Sequence, residues 1–483
     1  MSVLSELKPQ RVFYYFEEIS RIPRGSYHEK AISDYLVNFA REHNLEVYQD
    51  SLYNVVMLVP ASEGRESEEP LILQGHMDMV CEKNPGADID MEKEGLNLQV
   101  EGDYVSAKDT TLGGDDGIAL AYMLAIADDR EISHPDLEYI ITVSEEVGME
   151  GAKGIDLSML KGHCMLNLDS EEEGIFLSSC AGGLTTVSTI PVKRRDSEVL
   201  NWYEVTVTGL LGGHSGCEIH KGRGNADLIL GRVLYEIRDK VPFALCSLEG
   251  GKKNNAIPLE ATAQIGVEEQ SASLVETICE RLKAVLQSEY AKSDANVDIR
   301  LTQQSVESRR VLDEDSLDRM ITLLMTLPNG VQDMSMSVPG LVETSLNLGI
   351  LKLNEDHLFL QNAIRSSVTT KKHYIACRVE SLVKKLGGEV KRQGEYPAWE
   401  YREESVIRPK AVDLYEKMYG KAPVVEGIHA GLECGLLAGK IKELDCISMG
   451  PDILDIHTTS ERLSIASVGR VYEFLIELLK LHW

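Results

Sequence analysis

At 483 residues the chain is too long for one ordinary hydrophobic core, so two or more domains are expected. Its residues are 43% hydrophobic and 26% charged, the balance of a soluble globular protein. A formal net charge of −29 argues against a nucleic-acid partner, because displacing counterions from a polyanion needs a basic surface.

The opening segment MSVLSELKPQRVFYYFEEISRIPRG places acids inside its apolar stretch, unlike the continuous apolar segment of a signal peptide. No run approaches the roughly 20 apolar residues of a membrane span, so no membrane partner is expected. The nine cysteines are scattered and never form CxxC. They are expected to be reduced and buried, Cys81 and Cys434 included, as in a cytoplasmic protein.

VFYYFEEISRI and EKAISDYLVNFAREHN carry the three-to-four spacing of amphipathic helices. Residues 45–59 read as strands broken at 51–54, and ASEGRESEEP as a polar loop. LILQG is a short continuous apolar run, the form of a strand buried on both faces of a parallel sheet. LEYIITVS and CMLNLD are further buried strands, and GIALAYMLAIADD is a strongly apolar helix. The character changes near CAGG at 180–183. WYEVTVTGL alternates as a half-exposed strand does. The helix GNADLILGRVLYEIRD follows, then ATAQIGV and NVDIRLTQ as strands flanking the helix ASLVETICERLKAVLQSEYA. HLFLQNAIRSS leads as a strand into the helix KKHYIACRVESLVKKLG. From about Gly394 the first character returns, through RPKAVDLYEKMYG, PVVEGIHA and CISMGPDILDIHTT to the closing helix SVGRVYEFLIELLKL. The expected architecture is an α/β domain over 1–183 and 394–483, interrupted by an α+β domain over 184–393. His457 argues for the split, since its ligand-type partners lie in the N-terminal third.

Five metal-ligand side chains fall at the ends of short apolar runs: His76, Asp115, Glu146, Asp169 and His457. Ligands of open α/β sheets gather beyond the carboxyl ends of the strands. Two imidazoles and three carboxylates there suit a pair of divalent, zinc-like cations, which points to a metal-dependent hydrolase. Each motif also has a plainer reading. His76-Met77-Asp78 is either a hydrogen-bonded loop or a ligand whose ring Asp78 orients, since residues two apart in a strand point the same way. Asp115-Asp116 sits before an apolar helix, where an Asp serves as an N-cap. The two preceding glycines instead permit backbone angles that could turn one Asp inward to bridge cations. Glu145-Glu146 is a solvated loop, or a pair whose repulsion a cation relieves, leaving one ligand and one proton shuttle. In the run after Asp169, Glu171 to Glu173 reads as a solvated turn. His214 in GLLGGHSG is a turn residue or a mobile donor to a substrate oxygen. Asn254 and Asn255 occupy a loop before Pro258. Arg365 ends a strand as a surface charge or as a bidentate carboxylate binder.

QGHMDMV, TTLGGDDGIA, VSEEVGMEGA, NLDSEE, GLLGGHSG, NNAIP, IHAGLECG and GPDILDIHT occur in one order over essentially the whole chain. This set resembles the aminoacyl-histidine (cytosolic non-specific) dipeptidases of the co-catalytic zinc aminopeptidase, carboxypeptidase and aminoacylase superfamily. The resemblance implies a mixed-sheet zinc-peptidase catalytic domain with an inserted lid. It implies that His76 and Asp169 bind one zinc, Glu146 and His457 the other, and that Asp115 bridges them before a cis peptide to Asp116. Cobalt or manganese suits similar donors. Asp78 would orient His76, and Glu145 would be the general base. His214, Asn255 and Arg365 would meet a small peptide substrate, and Glu433 its amino end. A lid histidine that serves the neighbouring subunit in relatives implies a homodimer through the lid. The expected reaction is hydrolysis of dipeptides, of Xaa-His type such as carnosine and more broadly. Asp-Asp-Gly-Ile, beginning at the bridging Asp115, fits the dipeptidase branch better than the aminoacylase or carboxypeptidase branches. The enzymatic alternative is an N-acyl amino acid amidohydrolase or tripeptidase with the same metal centre. A non-catalytic binding protein is the rival of another class, and would be expected to have lost some of these ligands.

Overall fold

Short apolar strands between polar loops, followed by a long middle of alternating strands, build two units, each around its own core. The computed structural model describes residues 2–483. The first unit comprises the described chain up to Ser179, with Tyr401–Gly427 and Leu432–Trp483; the second comprises Cys180–Glu400 and Ile428–Gly431. The second unit thus starts at Cys180 rather than 184, runs to Glu400 rather than 393, and takes back a four-residue return for which the sequence carries no signal. Among the described residues no helix is long and apolar enough to cross a membrane.

In the first unit, Glu46–Gln49 and Val55–Val59 form a hairpin that joins Leu137–Thr142 antiparallel. Leu71–His76 lies parallel between Leu137–Thr142 and Cys164–Asn167, and Asp445–Ser448 runs parallel to Cys164–Asn167. Every residue of Leu71–His76 and Leu137–Thr142 is buried, as a parallel strand covered on both faces requires. The register sets His76 beside Thr142 and Gln74 beside both Ile140 and Asn167. The chain therefore leaves three neighbouring parallel strands at the same end of the sheet. Helix Gly114–Ala127 is apolar all round and buried along almost its whole length, which is how such a helix avoids water. The amphipathic helices Gln10–Ser20, Lys30–Glu42 and Ile465–Leu479 turn their apolar faces to the same core.

In the second unit the strands form one long sheet in the order Asp298–Glu307, Leu200–Thr208, Ala261–Val267, Ala244–Gly250, Val342–Leu353, His357–Ser366, Gly182–Pro191 and Glu389–Tyr396. All these pairings are antiparallel. Helices Ala226–Arg238, Ala272–Glu289, Glu314–Thr326 and Thr369–Lys385 supply apolar faces to the core against it. The sequence pattern gave no notice of Gly182–Pro191, Ala244–Gly250 or Val342–Leu353 as strands, although they close the sheet.

Candidate metal centre

Three of the parallel strands end in the candidate ligands. His76 is the last residue of Leu71–His76, Glu145 and Glu146 follow Leu137–Thr142, and Asp169 follows Cys164–Asn167. Asp115 enters from the start of the buried helix and His457 from the loop after Ile453–Leu454. The Asp115 carboxylate is shared between the two imidazoles. Its Oδ1 is 3.0 Å from His76 Nε2, and its Oδ2 is 3.3 Å from His457 Nε2. Each imidazole nitrogen has a second acid, with Asp169 Oδ1 3.3 Å from His76 Nε2 and Glu146 Oε2 3.0 Å from His457 Nε2. Ligand atoms of Asp115, Glu146 and His457 all lie within 4.8 Å of one another.

This donor set fits a pair of cations better than it fits a dry core. His76, Asp78 and Asp116 are buried almost completely, and Asp115 is 8% exposed. Burial alone would lower the basicity of His76, yet Asp169, Asp115 and Asp78 hold it well above its ordinary value. Hydrogen bonds that its ring donates to Asp115 and Glu146 push His457 up to about 10. Burial raises Asp169 to about 6, and burial with the surrounding acids raises Glu145 well above the carboxylate range. Packed acids that cannot all ionise in a low dielectric, and imidazoles that take up protons beside them, mark a deficit of positive charge that divalent cations would fill. Imidazole and carboxylate are suitable donors for such ions.

Asp78 touches both the His76 ring and the loop that follows Leu137–Thr142. Its Oδ1 is 3.3 Å from His76 Nδ1 and also accepts the Glu145 N–H at 2.9 Å. Its Oδ2 accepts the Glu146 N–H at 3.3 Å and the Ser26 hydroxyl at 2.8 Å. One carboxylate thus lies against the imidazole and holds the backbone of the two glutamates. Those partners pull its pKa down against burial.

The capping expected of the Asp115-Asp116 pair is not what the chain does. Both residues have non-helical backbone angles, and their peptide bond is cis. Glu461 takes the amides instead, accepting N–H bonds from Leu112 at 2.8 Å, Gly113 at 3.0 Å, Gly114 at 2.8 Å and Asp115 at 3.4 Å. Asp116 Oδ2 accepts the His76 backbone N–H at 3.1 Å. A Cβ at Gly75 would lie 2.5 Å from that same oxygen, so glycine is what lets strand and helix meet there. Arg24, also buried, donates to the carbonyls of Met77 at 3.0 Å, Asp78 at 2.9 Å and Gly113. Arg24 and Glu461 were not among the sequence candidates. Nothing in their local pattern marks them, because their partners are remote in the chain.

Other expectations need adjusting. Glu171 is half-buried, and burial with Asp115 and Asp169 raises it to about 7, while Glu173 pairs with Arg470 at 2.5 Å, so this run is not a simple solvated turn. Cys81 is exposed, not buried filler, as are Cys217 and Cys377; Cys434 is buried. Glu433 is fully buried, with Oε2 accepting Gln74 Nε2 and Thr142 Oγ1, both at 2.6 Å. Its other oxygen, Oε1, is buried without a hydrogen-bond partner.

Within the second unit, Gly213–His214 pairs with Ala256–Ile257, and the Ser215 N–H donates to the Asn255 carbonyl at 2.9 Å. This brings His214 and Asn255 onto adjoining loops. His214 Nδ1 accepts the Cys217 N–H at 3.1 Å, so the neutral ring carries its proton on Nε2. Burial and then Arg365 lower its pKa and favour that neutral donor. Arg365 Nη2 lies 3.5 Å from the same Nε2.

The chain is 36% identical to the cytosol non-specific dipeptidase of Escherichia coli (strain K12) over 481 residues, 99% of each protein. It is similar to the solved structure of aminoacylhistidine dipeptidase from Vibrio alginolyticus, with a TM-score of 0.95 and 34% identity over 100% of this chain and 98% of that one. It shares its fold with aminopeptidase PepT from Bacillus cereus, at a TM-score of 0.57 and 16% identity over 98% of each chain. Residues 205–294 match the peptidase dimerisation domain family.

Proposed function

The chain belongs to the family of the cytosol non-specific dipeptidases and is a metal-dependent dipeptidase, and from that premise we propose its metal, residue roles and substrates. The observation that carries the reading is the Asp115 carboxylate, with one oxygen on His76 and the other on His457. His76, Asp169 and Asp115 would hold one divalent cation, and Glu146, His457 and Asp115 a second. Zinc is the proposed metal, because carboxylate with imidazole is a common zinc set. When bound, the cations lower the pKa of the attacking water and polarise the scissile carbonyl.

The chain's own groups then divide the remaining work. Glu145, held by its backbone to Asp78, takes the proton of the attacking water and passes it to the leaving amine. Asp78 keeps the His76 ring fixed throughout. From the second unit, His214 Nε2–H donates to the carbonyl oxygen as negative charge develops there. Asn255 contacts the substrate backbone, and Arg365 binds the free carboxylate. Unblocked dipeptides, including Xaa-His types such as carnosine, are the proposed substrates. The proposed assembly is a homodimer through the second unit, supported by the dimerisation-domain match, and light scattering should give twice 53.6 kDa. The proposed location is the cytoplasm, which the relative's name and the acidic composition support.

The test is chelation and reloading with zinc, cobalt or manganese, assayed on a panel of dipeptides, tripeptides and acetylated amino acids. Activity should vanish on chelation, return with metal, and favour dipeptides. Activity that survives verified metal removal, or a preference for acetylated amino acids, would contradict the reading.

A further inference from the structure

Arg365 carries a charge that its own unit does not neutralise. Among the described residues of that unit no carboxylate is ion-paired with it. Its Nε is buried without a hydrogen-bond partner, and its Nη2 has only the 3.5 Å approach of His214 Nε2. That nitrogen already bears a proton when the ring is neutral, so it does not accept from the arginine. The one short bond is from Nη1 to the phenol oxygen of Tyr396, at 3.0 Å.

Tyr396 is itself built in firmly. It ends the strand Glu389–Tyr396, and its backbone carbonyl accepts Lys372 Nζ at 2.6 Å. The Lys372 side chain is only 1% exposed, an unusual place for an ammonium group unless it holds something. The tyrosine ring presses on Gly183, and a Cβ at Gly431 would stand 2.8 Å from it. Any side chain at either glycine would displace the phenol. Burial keeps that phenol un-ionised, so its oxygen is a neutral acceptor that leaves the arginine's charge intact.

We propose that Tyr396 is a positioning residue for substrate recognition, fixing the guanidinium of Arg365 so that its remaining donors are set for the free α-carboxylate of a dipeptide. A carboxylate in the place of Tyr396 would satisfy the arginine and cancel its attraction for an anion. A phenol holds it and cancels nothing. The proposal rests on the carboxylate-binding role given to Arg365 above.

The experiment compares dipeptides with their C-terminal amides, which lack the carboxylate, on the metal-loaded enzyme. Wild type, Tyr396→Phe and Arg365→Gln are measured together. Phenylalanine keeps the ring between Gly183 and Gly431, so the packing survives; circular dichroism and the melting temperature verify this. Tyr396→Phe should raise KM for dipeptides by about tenfold, the effect of losing one hydrogen bond to a charged group, with kcat within about twofold. KM for the amides should not move. Inhibition by free product amino acids, a binding readout, should weaken by the same factor. Arg365→Gln should remove the preference for dipeptide over amide altogether. If Arg365→Gln removes the preference and Tyr396→Phe leaves it unchanged, the positioning role is wrong and the arginine's role stands. If neither substitution alters the preference, both are wrong. Equal losses for dipeptide and amide with Tyr396→Phe would reduce the residue to a structural one and overturn the proposal.

Discussion

Glu145 is the residue on which the chemistry turns. Its backbone is tied to Asp78, while its side chain stands among Asp169, Glu433 and Glu146. Replacing it with glutamine keeps the shape and removes the base. Glu145→Gln should retain the full metal complement by elemental analysis and lose roughly 10²- to 10⁴-fold in kcat. Near-normal turnover would remove it as the base. At this scale the sequence was informative about one kind of residue only. His76, Glu146 and Asp169 were legible because each terminates a buried apolar run, and Asp115 because two glycines precede it. Arg24 and Glu461 were not legible. Arg24 binds carbonyls 53 to 89 residues away, and Glu461 binds amides 346 to 349 residues away. A polar side chain satisfied by distant backbone looks like any surface charge until the chain is folded. Glu433 was legible only through its motif IHAGLECG: its Oε2 accepts Gln74 and Thr142 from remote strands, while its Oε1 is buried without a hydrogen-bond partner.

Among the elements, the buried helix Gly114–Ala127 positions the shared ligand, and what fixes that helix is not its own cap. Gly113 at its start has a φ of 66°, and the amides around it point at the Glu461 carboxylate. Helix starts leave backbone donors that something must accept, and here a loop near the C-terminus supplies it. Glu461→Gln replaces one accepting oxygen by a donor, so some of the four N–H groups lose their partner. The expected result is a metal affinity lower by about 10- to 100-fold, measured by competition with a chelator, with far-ultraviolet circular dichroism unchanged. Unaltered affinity would mean that Glu461 stabilises the loop without placing Asp115. The amphipathic helices of the first unit were readable from periodicity and its buried parallel strands as short apolar runs, whereas Leu98–Glu101, Tyr104–Ala107 and Ile175–Cys180 were not read as strands. The second unit's sheet was read incompletely, because Gly182–Pro191 and Val342–Leu353 carry buried Thr, Ser and Asn positions that blur the apolar pattern.

For the whole molecule, the centre joins groups that lie far apart in the chain. Asp115 and His457 are 342 residues apart, with the second unit encoded between them. That separation is what made the split domain inferable, since His457 had no ligand-type partner nearby. The four-residue return at Ile428–Gly431 stayed hidden, because a segment that short carries no composition of its own. The central claim is that one carboxylate is shared by two cations. Anomalous diffraction at the zinc edge, on crystals of the zinc-loaded protein, tests it most directly. Two peaks flanking Asp115, one beside His76 and Asp169 and one beside His457 and Glu146, are the predicted result. A single peak, or peaks away from Asp115, would contradict it.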